Sequence, residues 1–129
     1  MSIPKELKYS KDHEWIRVDG NIGTVGITDF AQGELGELVY VDIDTVGQQV
    51  GQNEIFGTVE AVKTTSDLFL PVSGKILEVN SEIIESGGDD PGLINESPYE
   101  NGWIVKIEIS DPAELDSLLD SEAYGALIG

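Results

Sequence analysis

The sequence contains no cysteine and a single histidine, His13. Without cysteine the chain has no disulfide, no thiolate nucleophile and no zinc–cysteine site. One histidine with no nucleophilic serine motif near it cannot supply a catalytic triad or a metal site with several imidazole ligands. We therefore interpret His13 as a structural or solvated residue, and we expect neither a catalytic site nor a metal site. Any sulfur chemistry must come from a cofactor.

Positive charge is scarce as well. Seven Lys and Arg residues stand against 25 Asp and Glu residues, which gives a formal net charge of -18. A nucleic-acid backbone needs clustered cations to displace its counterions, and an anionic membrane surface repels an acidic chain. We therefore expect no nucleic acid and no membrane among the partners. The acidity either steers the chain toward basic partner surfaces or only keeps it soluble, and composition leaves both readings open.

Long apolar runs and targeting segments are also missing. No run is long enough to span a bilayer, and the first seven residues resemble neither a signal peptide nor a transit peptide. We expect a bacterial cytoplasmic protein and favour the mitochondrial matrix less. With 129 residues, of which 40% are hydrophobic, the chain fits one domain covering residues 1–129. We also expect a monomer.

What the sequence does contain is short strands separated by glycine-rich turns, a pattern typical of a mainly β fold. Asp19-Gly20 predicts a hairpin turn between the first two strands. A long loop is predicted over residues 86–102, where glycine and proline are frequent. The predicted strands cover residues 13–18, 22–27, 38–41, 54–61, 68–72, 74–79 and 103–109.

Two helices are predicted. The first is a short helix near residues 28–35, with Thr28 as its N-cap and Gly36 as its stop. The second is a C-terminal helix, which Asp111-Pro112 and Glu114 begin with an N-cap, a proline and a capping-box acid. Helical spacing places its apolar side chains in one stripe that would pack on the sheet. The stripe consists of Leu115, Leu118, Leu119, Ala123 and Leu127.

Lys63 is isolated from other cations. It is the single cation between residues 18 and 74, whereas four of the seven basic residues fall within the first 17 positions. If the strand over residues 54–61 continued, alternation would place Lys63 on the apolar face with Val59, Ala61 and Ile55. The chain must therefore turn there, which places Lys63 at the exposed tip of a hairpin. From spacing alone, an ordinary solvated turn lysine remains an open reading.

The residues around Lys63 resemble the attachment hairpin of lipoyl and biotinyl carrier domains. The similar residues are Glu60-Ala61-Val62-Lys63, then Asp67, then Pro71-Val72-Ser73-Gly74. Biotinyl carriers usually have methionine on both sides of the lysine. Here Val62 and Thr64 occupy those positions, which favours lipoate.

Residues outside the hairpin resemble the glycine cleavage H-protein family along essentially the whole chain. The similar segments carry family residues at dispersed positions, so chance agreement is a poor explanation. They are Leu7-Lys8-Tyr9, His13-Glu14-Trp15, Gly26-Ile27-Thr28-Asp29, Ala31-Gln32, Leu35-Gly36, Asn95, Ser97-Pro98-Tyr99, Gly102-Trp103 and residues 112–119. Phe30 and Asp12 stand where family members vary.

The resemblance implies a flattened hybrid barrel-sandwich fold, of the kind found in lipoyl and biotinyl carriers. It also implies a non-catalytic carrier whose lipoate is amide-linked to Lys63 by a lipoate ligase, or by an octanoyl transferase with a sulfur-inserting synthase. The carrier would move the aminomethyl group of glycine from glycine decarboxylase (P-protein) to the aminomethyltransferase (T-protein). Dihydrolipoyl dehydrogenase (L-protein) would then reoxidise the arm.

The family further suggests that the loaded arm folds into a cleft where carboxylates meet the amine. The matching residues are Glu14 and Asp67, although both could simply add to an acidic surface. Three alternatives to the carrier function remain. The chain could be a lipoyl donor for other enzymes, a biotin carrier, or an unmodified acidic interaction domain.

Overall fold

The structure is a computed structural model that describes residues 3–129. Within that range, nine strands account for most of the regular structure. Their bounds are β1 Lys8–Tyr9, β2 Glu14–Asp19, β3 Ile22–Ile27, β4 Leu38–Asp42, β5 Gln49–Val50, β6 Ile55–Ala61, β7 Thr65–Phe69, β8 Gly74–Val79 and β9 Val105–Ile109.

The strands form two antiparallel sheets. One has six strands in the order β1-β2-β3-β9-β8-β5, and the other has three in the order β4-β6-β7. The two sheets share a core, which includes Val25 and Ile107 from the first and Val41, Val59 and Leu68 from the second. Burial of this apolar surface is the main favourable term in folding. The predicted mainly β fold is confirmed as a two-sheet sandwich that does not close into a barrel.

Three α-helices and one 3₁₀ helix complete the described residues: α1 Asp29–Leu35, α2 Gly92–Glu96, 3₁₀ Pro112–Ser117 and α3 Ser121–Ile128. The prediction for α1 is confirmed in detail. The Thr28 side chain accepts a hydrogen bond from the Ala31 N–H, and Gly36 ends the helix with φ +81°. A side chain at Gly36 would be strained at that φ, which explains the glycine. No helix among residues 3–129 is long and apolar enough to cross a membrane.

The single C-terminal helix predicted after Asp111 is wrong. The Asp111 cap is present, but the chain leaves helical geometry at Leu118. Leu119 then pairs with Tyr9 through two backbone hydrogen bonds of 2.8 Å, and Asp120 caps the separate helix α3. The two N-caps, Asp111 and Asp120, and the extended pairing of Leu119 therefore divide the segment into two helices, although its apolar residues keep one helical spacing. As a result Leu127, predicted to face the sheet, is 51% exposed.

The Glu114 side chain also differs from its predicted role. Its carboxylate accepts hydrogen bonds from the backbone N–H and the hydroxyl of Ser73, at 2.7 Å and 3.1 Å. It therefore ties the 3₁₀ helix to the start of β8 and does not form a capping box. The loop predicted over residues 86–102 is likewise interrupted, because it contains α2. A five-residue helix is too short for periodicity to reveal.

The prediction of which side chains face inward from the strand with Ile55 was also partly wrong. We expected Ile55 on the apolar face, but it is 50% exposed and Phe56 is buried instead. An irregularity in the pairing between β6 and β7 lies between Ile55 and Gly57 and shifts the alternation by one residue. A Cβ at Gly57 would lie 2.8 Å from the Asp42 carbonyl oxygen, so glycine permits this close approach.

Strand bounds differ elsewhere. The strand predicted at residues 68–72 is β7, which begins and ends earlier, although Leu70 and Val72 are buried. The short strands β1 and β5 were not predicted, because two-residue strands have no alternation to detect. None of these differences moves the turn at Lys63, which joins β6 to β7.

Candidate functional site

Lys63 lies in the turn that joins β6 to β7, as the sequence predicted. Glu60 pairs with Thr65 as the last pair of the ladder, and the Ala61 N–H donates to the Thr64 carbonyl at 2.7 Å. The side chains of Val62, Lys63 and Thr64 are exposed. Two paired strands therefore hold the lysine outward at the end of the three-stranded sheet.

The hairpin tip rests on the segment that follows α1. The Val62 N–H donates to the Glu37 carbonyl oxygen at 3.0 Å. The Lys63 side chain lies over Gly36, where an added Cβ would meet Lys63 Cε at 3.6 Å and Nζ at 3.9 Å. Among residues 3–129 one side-chain salt bridge forms, between Lys106 and Glu78. The amine of Lys63 therefore has no carboxylate partner in that range. An exposed, unpaired amine is suited to acylation.

A surface cavity of about 270 Å³ lies next to this tip, between α1, the start of β2 and β7. Leu35, immediately before Gly36, is part of its lining. The cavity brings together Glu14 and Asp67, the two carboxylates that the family resemblance singled out. Phe30, Ala31 and Leu35 of α1 supply an apolar wall, and Glu34 adds a further carboxylate.

Glu14 is the buried carboxyl of this cavity. It is 2% exposed, accepts a 2.6 Å hydrogen bond from the Ser10 hydroxyl, and accepts a longer one of 3.4 Å from the Phe69 N–H. Burial raises the pKa of Glu14 to about 8, and these hydrogen bonds oppose the shift only in part. Glu14 is therefore mostly protonated near neutral pH. An arriving ammonium group would favour its ionised form.

The raised pKa of Glu14 predicts a pH-dependent stability that Glu14→Gln should remove. Because the folded state holds the proton more tightly, the contribution of Glu14 to the free energy of unfolding is greatest below its unfolded pKa of 4.5. It declines as pH rises toward 8. Between pH 5 and pH 8.5 the free energy of unfolding of Glu14→Gln should therefore rise, relative to that of wild type, by on the order of 3 kcal/mol. Urea unfolding at the two pH values measures this change.

Glu108→Gln is the control for that measurement, because it removes one negative charge from an exposed position on β9. If both variants responded to pH in the same way, the effect would belong to net charge rather than to the buried carboxyl.

Asp67 lies on β7 opposite Thr58 and has an exposed side chain. Its solvent contact distinguishes it from Glu14, since an exposed carboxylate interacts more weakly with a nearby cation. Of these two carboxyls of the cavity, Glu14 is buried and Asp67 is exposed to solvent.

His13 also lines the cavity, in a left-handed backbone conformation with φ +70°. Its Nδ1 lies 2.9 Å from the Tyr124 hydroxyl, which in turn lies 2.7 Å from the Thr28 hydroxyl. Burial lowers the pKa of His13. These contacts tie the first turn of α1 to α3, which agrees with a structural role for His13. Among residues 3–129 no cluster of His, Asp and Glu could hold a metal ion.

Sequence reasoning missed several residues of the cavity wall. Phe30 and Asp12 were set aside, yet both line the cavity. The signal for Phe30 and Glu34 was their i, i+4 spacing on α1, which puts them on one face of the helix. No sequence signal indicated that Glu14 is buried, because alternation alone cannot show which carboxylate lies inward.

The residues present fit a lipoyl group. Its amide needs a free amine on a protruding turn, which Lys63 supplies, and its alkyl chain needs an apolar surface within reach. The wall of Phe30, Ala31 and Leu35 offers that surface beside the lysine. A carrier also needs no catalytic cluster of its own.

Comparisons with known proteins relate this chain to one family. The family model described as "Glycine cleavage H-protein" matches residues 7–129. Proteins named "Glycine cleavage system H protein" from Symbiobacterium thermophilum and Carboxydothermus hydrogenoformans are 58% and 56% identical, covering 97% and 98% of this chain and 94% of each relative. The crystal structure of a glycine cleavage system H protein from Mycobacterium marinum matches with a TM-score of 0.84 and 37% identity. That match covers 98% of this chain and 99% of the other.

Proposed function

The chain belongs to the glycine cleavage H-protein family, the lipoyl carriers of the glycine cleavage system, and we propose that Lys63 is its point of lipoyl attachment. The supporting observation is the placement of Lys63: an exposed amine, unpaired among the described residues, at the tip of a hairpin that two paired strands hold in place. Attachment converts the ammonium to a neutral amide and so changes the charge at the tip.

The bound lipoyl group supplies the sulfur that carries an aminomethyl unit, and the chain's own residues supply its surroundings. Phe30, Ala31 and Leu35 offer an apolar wall that excludes water. Glu14 and Asp67 offer carboxyls for a protonated amine. A charge-assisted hydrogen bond is stronger in such a partly dry site than in water. The proposed role of the cavity is therefore to shelter cargo between enzymes.

The proposed partners follow from family membership. They are glycine decarboxylase, the aminomethyltransferase and dihydrolipoyl dehydrogenase, together with an enzyme that attaches lipoate. The relatives are bacterial, which favours action in a bacterial cytoplasm. We propose no catalytic step for the chain itself, in keeping with a single histidine bound to Tyr124.

Mass spectrometry of protein purified from lipoate-replete native cells tests this proposal. We expect the intact mass to include one lipoyl group and the adduct to map to Lys63 in a peptide digest. A biotinyl adduct would identify a biotin carrier instead. A free amine at Lys63 in every molecule would contradict the proposal and favour an unmodified interaction domain.

A further inference from the structure

The hairpin tip does not stand alone, because it rests on residues 36–38, which we call the platform. The platform joins the end of α1 to the start of β4. It contacts the tip through the bond from the Val62 N–H to the Glu37 carbonyl, and through the Lys63 side chain over Gly36. The position of Lys63 therefore depends on how firmly the platform is held.

Asn95 of α2 holds the platform from the opposite side. Its Oδ1 accepts a hydrogen bond from the Leu38 N–H at 3.0 Å. Its Nδ2 donates to the Gly36 carbonyl at 2.8 Å and to Gln32 Oε1 at 3.0 Å. One side chain thus fixes both ends of the platform and the last turn of α1. Without it, backbone groups at the end of α1 would lose their partners.

We infer that Asn95 is a positioning residue that holds Lys63 in place through the platform without touching Lys63. This inference rests on the proposal that Lys63 is the attachment site. A modifying enzyme must receive the amine in a narrow range of positions, and small displacements of a reacting group reduce rates steeply. A loosened platform would spread the amine over many positions, even though the fold persisted.

Asn80 provides a matched control within the same chain. Its Nδ2 donates to the carbonyls of Asn101 and Trp103, and its Oδ1 accepts from the Glu82 N–H. It therefore makes three hydrogen bonds, as Asn95 does, and at 2% exposure it is the more buried of the two. None of its bonds reaches the hairpin or the platform. Asn80→Ala should lower global stability at least as much as Asn95→Ala does.

The first measurement is amide hydrogen exchange by NMR on the unmodified protein. In Asn95→Ala we expect the Val62 N–H to exchange about tenfold faster, because its bond to Glu37 opens more often. The Ala61 N–H, bonded within the hairpin to Thr64, should keep its wild-type rate. In Asn80→Ala both amides should behave as in wild type. Unchanged exchange at Val62 in Asn95→Ala would overturn the inference.

The second measurement is the kinetics of lipoylation by a purified lipoate ligase. Asn95→Ala should lose about tenfold in kcat/KM for the acceptor protein, whereas Asn80→Ala should lose little. Equal losses in the two variants would overturn the inference, because both would then act through stability. If Asn95→Ala failed to fold, Asn95→Asp would replace it, since it keeps the acceptor for Leu38 and loses both donors. Failure of the proposed function is distinct: wild type itself would then acquire no adduct at Lys63.

Discussion

Replacing Lys63 with arginine is expected to leave the fold intact and to abolish modification and carrier function completely. The side chain is exposed at a turn, so solvent can accommodate the larger head group. Arginine keeps the positive charge, but its guanidinium does not form the amide to lipoate. Glycine-dependent NADH formation by the reconstituted glycine cleavage system should fall to the level seen without carrier. Thermal unfolding should match wild type.

Lys75→Arg is the matched control, because Lys75 is another exposed lysine and lies on β8, in the other sheet. That variant should be modified at Lys63 and should support normal NADH formation. Activity of Lys63→Arg comparable with that of Lys75→Arg would contradict the attachment proposal directly.

The hairpin and α1 could be predicted because local rules agree there. The alternation around Val59 and Ala61 required a turn at Lys63, and strands pair on both sides of it. Thr28 and Gly36 delimit α1 through a side-chain cap and a positive φ, which are local properties of the chain. Each of these signals depends on few neighbours, so sequence alone carries them.

The predictions that failed depend on contacts between distant residues. The break in the C-terminal helix comes from the pairing of Leu119 with Tyr9, which lies at the other end of the chain. The outward turn of Ile55 comes from an irregularity opposite β7. Neither the helix break nor the outward turn of Ile55 changes the hydrophobic periodicity of its own segment, so periodicity could not reveal them.

Glu14 illustrates the same limit at the site. Its burial arises where the start of β2 meets α1 and β7, and its hydrogen-bond partners are Ser10 and the backbone of Phe69. The family resemblance pointed to this carboxylate, but its raised pKa follows only from the packed structure. That difference separates Glu14 from Asp67, because a buried carboxyl that ionises beside an amine interacts with it more strongly than an exposed one.

The difference in burial between Glu14 and Asp67 predicts how strongly each carboxyl slows the loss of the aminomethyl group from the isolated carrier. Glu14→Gln removes the buried ionisable group with little change of shape, so cargo loss should accelerate about tenfold or more, in line with one charge-assisted hydrogen bond. Asp67→Asn should accelerate it only a few-fold, because water screens an exposed carboxylate. Both rates can be measured as the release of formaldehyde and ammonia from the loaded protein after the P-, T- and L-proteins have been removed.

Asp42→Asn is the control for lost negative charge, since Asp42 is exposed on β4 and is not part of the cavity wall. It should release cargo at the wild-type rate. Urea unfolding of Glu14→Gln at the pH of the release assay should show a folded protein, so that faster release cannot be ascribed to unfolding. If wild type and all three variants lost cargo equally fast, neither Glu14 nor Asp67 would guard it. The shelter would then come from the rest of the cavity, which includes the apolar wall of Phe30, Ala31 and Leu35.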